Sequence, residues 1–273
     1  MKLTATFLAL TTLLTISIAQ TTCHKYVIIS IRGTYEPQGR SIAFTTMINQ
    51  TFAAIPGGVE YDAVYPAAAN QTAYFGADDV TRYINNGLQN CPQQQYAILG
   101  YSQGASATML TLNNITDPSS TAYKAIKAVL VVGNPYHIPG ASVNVDENGG
   151  DATKNFPGVV YNASNASSRG IPQIYYDDGK LVDICHTEDS ICAPAYPNAS
   201  FVPGHIQYGK QNVQDMGAKF LIERLGGNST NPSTTPTATG SPTSSQPAQY
   251  TGGANMVPMS FIAALSGMFA LFL

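Results

Sequence analysis

The chain has 273 residues, enough for one globular domain with a remainder. Charged residues make up only 11% and the net charge is −3, which excludes a nucleic-acid binder, a charge-rich coiled coil and a charged disordered chain. Hydrophobic residues at 44% permit an ordinary core, so the deficit of charge needs a local explanation.

The first 24 residues carry Lys2 as their one charge, followed by an apolar run from Phe7 to Ile18. Ser17-Ile18-Ala19 then offers small residues where a signal peptidase cuts, so residues 1–19 read as a secretory leader. An N-terminal core helix is the alternative. Residues 20–227 form the candidate domain. Tyr26 to Ile31 is an apolar run of strand length that stops at Arg32-Gly33-Thr34. Ser41 to Ala54 has helix-spaced apolar positions at Ile42, Phe44, Ile48 and Phe52. Val59 to Val64 reads as a strand and Asp78 to Leu88 as a helix. Tyr96 to Leu99 is a short buried strand, followed at once by the helix-forming run Ala105 to Leu110. Ala128 to Val132 is a further strand, halted by Gly133-Asn134-Pro135. The Gly-, Asn- and Ser-rich stretch from Pro135 to Pro172 predicts a long surface loop. Val182 to Cys185 is a weaker strand. Val213 to Leu225 is an amphipathic helix with Met216, Phe220 and Leu221 on one face.

Beyond the domain, residues 228–255 contain 16 Ser, Thr or Pro among 28 and no charge. That composition predicts an O-glycosylated stalk. Small residues at Thr251-Gly252-Gly253-Ala254 and an apolar tail over 256–273 complete the pattern of a GPI-type lipid-anchor signal. An attachment residue near Ser244 or Ser245 gives a longer polar spacer than Gly252 or Gly253. The competing reading is a plain C-terminal membrane helix, but no basic residues follow to hold it. Seven Asn-x-Ser/Thr sequons lie at Asn49, Asn70, Asn114, Asn162, Asn165, Asn198 and Asn228. Four cysteines, an even number, fit two disulfides in an oxidising compartment.

Nearly all-apolar strands alternating with helices imply a mostly parallel central sheet with helices on both faces, a three-layer α/β/α fold. Within it, Gly100-Tyr101-Ser102-Gln103-Gly104 follows a strand and precedes a helix, the setting in which G-x-S-x-G forms a nucleophile elbow. The tight turn needs glycine on both sides, and the helix N-terminus aims backbone N–H groups at a developing oxyanion. A serine nucleophile needs a base, and the base needs an orienting carboxylate. In this architecture both follow the serine in sequence, which removes His24 and leaves His137, His186 and His205 open.

The sequence resembles the cutinases and related acetylxylan esterases over about residues 23–225. Gly100 to Ala105 is similar to the family's elbow, Cys185-His186-Thr187-Glu188-Asp189-Ser190-Ile191-Cys192 to its Asp-bearing Cys-to-Cys loop, and His205-Ile206-Gln207-Tyr208-Gly209 to its closing His-x-x-Tyr motif. The resemblance implies Ser102 as nucleophile, His205 as base and Asp189 as orienting acid. It also implies Cys185–Cys192 and Cys23–Cys91 disulfides, and an oxyanion hole from Thr34 and Gln103. A short disulfide loop would hold Asp189 in a fixed place, as a triad carboxylate requires.

Two other arrangements are set aside. Asp183 and His186, three apart on a strand, point to opposite faces. Zinc ligation by Cys185, His186, Cys192 and His205 lacks C-x-x-C spacing and sits poorly with secretion. His24 and His137 are expected at the surface or behind the site. Between Asp189 and His205, the residues Tyr196, Phe201 and Val202 form an apolar rim suited to an acyl chain. A glycan at Asn198 would crowd that mouth against a flat polymer.

The expectation is therefore a compact, lidless α/β-hydrolase acting as a monomeric serine esterase, without metal or organic cofactor. It would work outside the cell, touching a membrane only through its lipid anchor. Cutin-like polyester or short-chain esters are the first substrates, with acetylated xylan second. A catalytically inactive glycosylated surface protein is the rival.

Overall fold

The computed structural model describes residues 22–165, 170–201 and 203–226. The leader, residues 227–273 with the stalk and anchor signal, and the rim candidate Val202 lie outside the described residues.

Each apolar run becomes a strand of one sheet. They are β1 (Tyr26–Ile31), β2 (Gly58–Asp62), β3 (Gln95–Tyr101), β4 (Ile126–Val132), β5 (Asn144–Val145) and β6 (Leu181–Ile184). Their order is β2-β1-β3-β4-β6-β5, and every pairing among them is parallel. Parallel neighbours need crossovers, and helices supply them: α1 (Thr45–Ala54), α2 (Ala73–Asn90), α3 (Gln103–Asn113) and the short α4 (Thr121–Ala125) and α5 (Gln173–Asp177), while α6 (Gln211–Leu225) follows the last strand.

Alternation along the strands divides the core in two. Val27, Ile29, Ile31, Ile98, Val129 and Val131 face α2 and α3, while Tyr26, Ile28, Leu99, Leu130 and Val132 face α1 and α6. Both faces are covered, which is why the central strands carry no polar alternation. The expected three-layer α/β/α arrangement is the observed one.

Two local expectations are corrected and a third is narrowed. The helix-spaced run from Ser41 includes Ile42, but α1 begins only at Thr45, so Ile42 sits in the preceding turn and is 64% exposed. The stretch from Pro135 to Pro172 is not all surface loop. It supplies edge strand β5 and buries His137, Asn144 and Thr153. His137, expected at the surface or behind the site, takes the second place: it is fully buried, with Nδ1 2.9 Å from Asp183 Oδ1, and feels the Asp189 charge. Glycine-rich composition hid an ion pair that anchors this long segment to β6. Asp183 thus partners His137, and His186 is elsewhere engaged: its N–H donates to the Tyr208 hydroxyl at 3.2 Å.

Candidate active site

In open parallel sheets the ligand crevice forms beyond the carboxyl ends of the strands. Ser102 stands there, between the last residue of β3 and the first of α3. Its φ of +55° is a left-handed conformation that a side chain rarely adopts. The turn is locked by its Ser102 N–H bond to the carbonyl of Val132 at 3.0 Å and by Ala105 N–H to the Ser102 carbonyl at 2.8 Å. Close approach explains both flanking glycines. A Cβ on Gly104 would fall 2.0 Å from the Ile31 carbonyl oxygen, and one on Gly100 2.4 Å from Thr108 Oγ1.

His205 lies on a single 3-10 turn, Gly204–Ile206, and is 2% exposed. Its Nε2 is 2.8 Å from Ser102 Oγ and its Nδ1 is 2.8 Å from Asp189 Oδ2. The three residues, 87 and 16 positions apart along the chain, form one hydrogen-bonded line. Of the three histidines left open by the sequence, only His205 reaches the serine; His137 and His186 are committed elsewhere.

Asp189 is fully buried inside the loop closed by the Cys185–Cys192 disulfide. The Cys23–Cys91 disulfide ties the start of β1 to the end of α2. A bridge between Asp189 and Ser200, with Ser200 N–H donating to the Glu188 carbonyl at 2.8 Å, pins the Asp189 loop from its other side. Burial alone would raise the carboxyl's pKa. The adjoining His205 charge outweighs it, helped by hydrogen bonds from His205, the Tyr208 hydroxyl and the Ile191 N–H, and holds it below the usual carboxylate range. Asp189 is therefore an anion at neutral pH.

The segment after β1 passes beside Ser102, since a Cβ on Gly33 would lie 3.3 Å from the Ser102 Cβ, and it carries Thr34. Gln71 Nε2 donates to Thr34 Oγ1 at 3.1 Å, leaving the hydroxyl proton free to turn toward the site. Gln103 opens α3, where its N–H has no acceptor within the helix. Its side chain donates to the Ala68 carbonyl at 2.9 Å, joining the elbow to the loop that holds Gln71. A buried arginine and a half-buried glutamate brace the segment of Thr34. Arg32 donates to the carbonyls of Glu36, Ala63 and Tyr65. The Glu36 carboxylate accepts from Gly33 N–H at 2.6 Å, Ile42 N–H at 2.9 Å and the Ser41 hydroxyl. Burial pushes the Glu36 carboxyl up, against the pull of these donors and of Arg32.

The rim candidates separate. Phe201 lies with its ring centroid 5.0 Å from that of His205. Tyr196 instead packs edge-on against Phe156 beside the Cys185–Cys192 disulfide, where it supports the Asp189 loop. A wider apolar rim went unread in the sequence. Tyr35, Ile42, Val64, Tyr74, Phe75 and Ile206 are exposed, and all follow the carboxyl ends of β1, β2 or β6. Periodicity could not place them because they lie in loops or in a helix's first turn, and it assigned Ile42 to a helix and Val64 to a strand that both stop short of them.

Gly133, Tyr208, Arg32, Glu36 and Gln71 were also missed as parts of the site. The signal for two of them was present: an arginine closing an apolar strand, and the tyrosine of His-x-x-Tyr. Among the described residues no cluster of His, Cys, Asp and Glu is arranged to hold a metal ion.

Chemically, the line can deprotonate a hydroxyl, store the proton on an imidazole flanked by a buried anion, and offer donors at a helix N-terminus to an oxyanion. Comparison with known proteins agrees in kind. A family model described as cutinase matches residues 22–225. An acetylxylan esterase from Hypocrea jecorina is 26% identical over 246 residues, spanning 82% of this chain and 75% of its own. A carboxylesterase, Culp1, from Mycobacterium tuberculosis is 23% identical over 208 residues, or 74% of this chain and 82% of its own. Among solved structures, a cutinase-like protein from Cryptococcus sp. is 39% identical with a TM-score of 0.69, covering 78% of this chain and 100% of that one.

Proposed function

The chain belongs to the cutinase family of carboxylic ester hydrolases, and from that premise we propose that it cleaves esters through a Ser102–His205–Asp189 triad and an acyl-enzyme. The observation that carries this reading is the 2.8 Å and 2.8 Å hydrogen-bonded line from Ser102 Oγ through His205 to Asp189. Ser102 attacks the ester carbonyl while His205 Nε2 takes its proton. Asp189 holds the imidazole by Nδ1 and balances the charge it gains. The Gln103 N–H and Thr34 receive the oxyanion, each such donor being worth about 3 kcal/mol in the transition state. His205 returns the proton to the leaving alcohol, then draws one from water, and the resulting hydroxide releases the acid.

Cutin-like aliphatic polyester or short-chain acyl esters are the proposed substrates. The apolar side chains gathered at the strand carboxyl ends support this, since exposed hydrophobic patches mark docking surfaces. Acetylated xylan is the second reading, favoured by the relative named as an acetylxylan esterase. The extracellular setting is supported by the two disulfides and by the exposure of all six sequon asparagines among the described residues. The test is a fluorophosphonate probe with the Ser102→Ala variant. Labelling of Ser102, with labelling and hydrolysis both lost in the variant, supports the enzyme. An unlabelled wild-type protein would favour an inactive surface protein. Hydrolysis of p-nitrophenyl esters from C2 upward, alongside acetylxylan and a polyester, then separates the substrate readings.

A further inference from the structure

Tyr208 is the most deeply buried polar group at the site for which the mechanism above has no use. It is 1% exposed, with its hydroxyl 2.5 Å from Asp189 Oδ2, the oxygen that also accepts from His205 Nδ1 at 2.8 Å. The direction of that bond follows from the other contacts of the phenol oxygen. The His186 N–H donates to it at 3.2 Å, and Cys192 Sγ at 3.4 Å belongs to a disulfide and carries no proton. The phenol proton therefore has the carboxylate as its strong acceptor. Accepting the His186 N–H polarises the phenol and strengthens its donation. The ring is held by Tyr101, 5.8 Å away between centroids, whose own hydroxyl donates to the His205 carbonyl at 2.8 Å.

We propose that Tyr208 is a positioning residue for the reaction, acting through Asp189: its hydroxyl fixes the carboxylate rotamer and limits the carboxylate's basicity, so that the proton taken from Ser102 stays on His205. This rests on the triad reading given above. Oδ1 is held by the Ile191 N–H at 2.7 Å and Oδ2 by two donors, which leaves the carboxylate no freedom to rotate. A carboxylate that shares its charge with a phenol attracts the imidazolium less than a bare one would. Removing the hydroxyl should thus tighten the grip on the protonated histidine and move the acid limb of the rate profile upward in pH.

Other titratable groups face the pair from several elements. Tyr101 lies on β3, His137 beside β6 feels the Asp189 charge, and His186 and Glu188 flank the loop, with Glu147 4.0 Å from the His186 ring. None of these donates to Oδ2, so none replaces the phenol when it is removed. Burial, with the Asp189 charge beside it, holds the Tyr208 hydroxyl protonated far above neutral pH.

The test uses the full chain and p-nitrophenyl butyrate, with kcat and KM followed from pH 4 to 9. Tyr208→Phe is expected to lower kcat about tenfold with KM nearly unchanged, and to raise the acid midpoint by at least about half a pH unit. A merely structural role would lower the folded fraction without moving that midpoint. Should the Phe variant fail to fold, 3-fluorotyrosine at position 208 reads the same effect with the opposite sign. Its stronger donor should shift the acid midpoint downward. Fluorophosphonate labelling of wild-type Ser102 separates the two ideas. Labelling with an unmoved acid midpoint in either substituted protein overturns the role of Tyr208 alone. No labelling of Ser102 overturns the triad and this role together.

Discussion

Gly133 offers a sharp test of how the histidine is held. It follows β4 with φ +56°, and a Cβ built there would lie 2.7 Å from His205 Cε1 and 3.0 Å from both His205 Nδ1 and Asp189 Oδ2. Gly133→Ala therefore carries two separable costs. The left-handed backbone penalises alanine by about 1 kcal/mol. The contact is the larger matter, because moving the ring from 2.7 Å to ordinary contact at 3.4 Å takes about 0.7 Å. Directed away from Ser102, that shift stretches the 2.8 Å Nε2–Oγ bond to about 3.5 Å, where little hydrogen bonding remains. Misplacement on this scale costs on the order of a hundredfold in rate. The assay is kcat and KM on p-nitrophenyl butyrate, with Tm measured alongside. Gly140→Ala is the control, since it has φ +79° and its Cβ would meet nothing nearer than 3.9 Å. It should lose similar stability and keep its kcat. A Gly133→Ala enzyme that is folded and within threefold of wild-type kcat would falsify the claim that this glycine is the floor under His205.

The two disulfides should separate stability from activity. Loop closure predicts a contribution of about 4–5 kcal/mol for Cys23–Cys91, separated by 68 residues, and about 2–3 kcal/mol for Cys185–Cys192, separated by 7. Replacing the first pair by serines should lower Tm and spare kcat, while replacing the second should cut kcat by freeing Asp189; equal kcat in both variants would refute this. The buried His137–Asp183 pair should give a pH signature. Burial lowers the His137 pKa, but the charge and hydrogen bond of Asp183, with the Thr153 backbone and the Asp189 charge, together outweigh it, and the net value is raised above 6.5. A raised value means the stabilisation is fully present below about pH 6.5 and fades as pH rises through the folded-state value. Asp183→Asn should therefore cost about 3 kcal/mol near pH 6 and less by pH 9; parallel Tm curves for variant and wild type would sink the idea. Asn198 is exposed and three residues before Phe201. With a glycan there, Asn198→Gln should raise polyester hydrolysis relative to a soluble p-nitrophenyl ester, and an unchanged ratio would remove the glycan as a barrier.

Much of the fold was legible because its strands are buried on both faces. Runs such as Tyr26–Ile31 and Ala128–Val132 are apolar without alternation, and that pattern identifies a covered parallel sheet. The elbow was legible because a sharp strand-to-helix turn constrains its neighbours, and Gly100 and Gly104 record that constraint. The exposed rim and the short helices α4 and α5 were not legible, since neither has a sustained period. The place of His137 stayed open between the surface and the rear of the site for a related reason: the stretch around it is rich in Gly, Asn and Pro, and its partner Asp183 lies 46 positions later.

By itself the sequence determined the layer architecture and the sharp turn at Ser102, and by motif likeness it pointed to His205 and Asp189, which the structure joins to Ser102 by hydrogen bonds. Those are local properties, written in runs of a few residues where sterics or burial leave little choice. Only the tertiary structure decided that Gly133 lies beneath the imidazole, that Gln71 orients Thr34, that Tyr196 faces the disulfide and that Tyr208 donates to Asp189. Each of these is a meeting of side chains far apart along the chain. Distance in space is set by how the layers pack, and no spacing within a single segment records it.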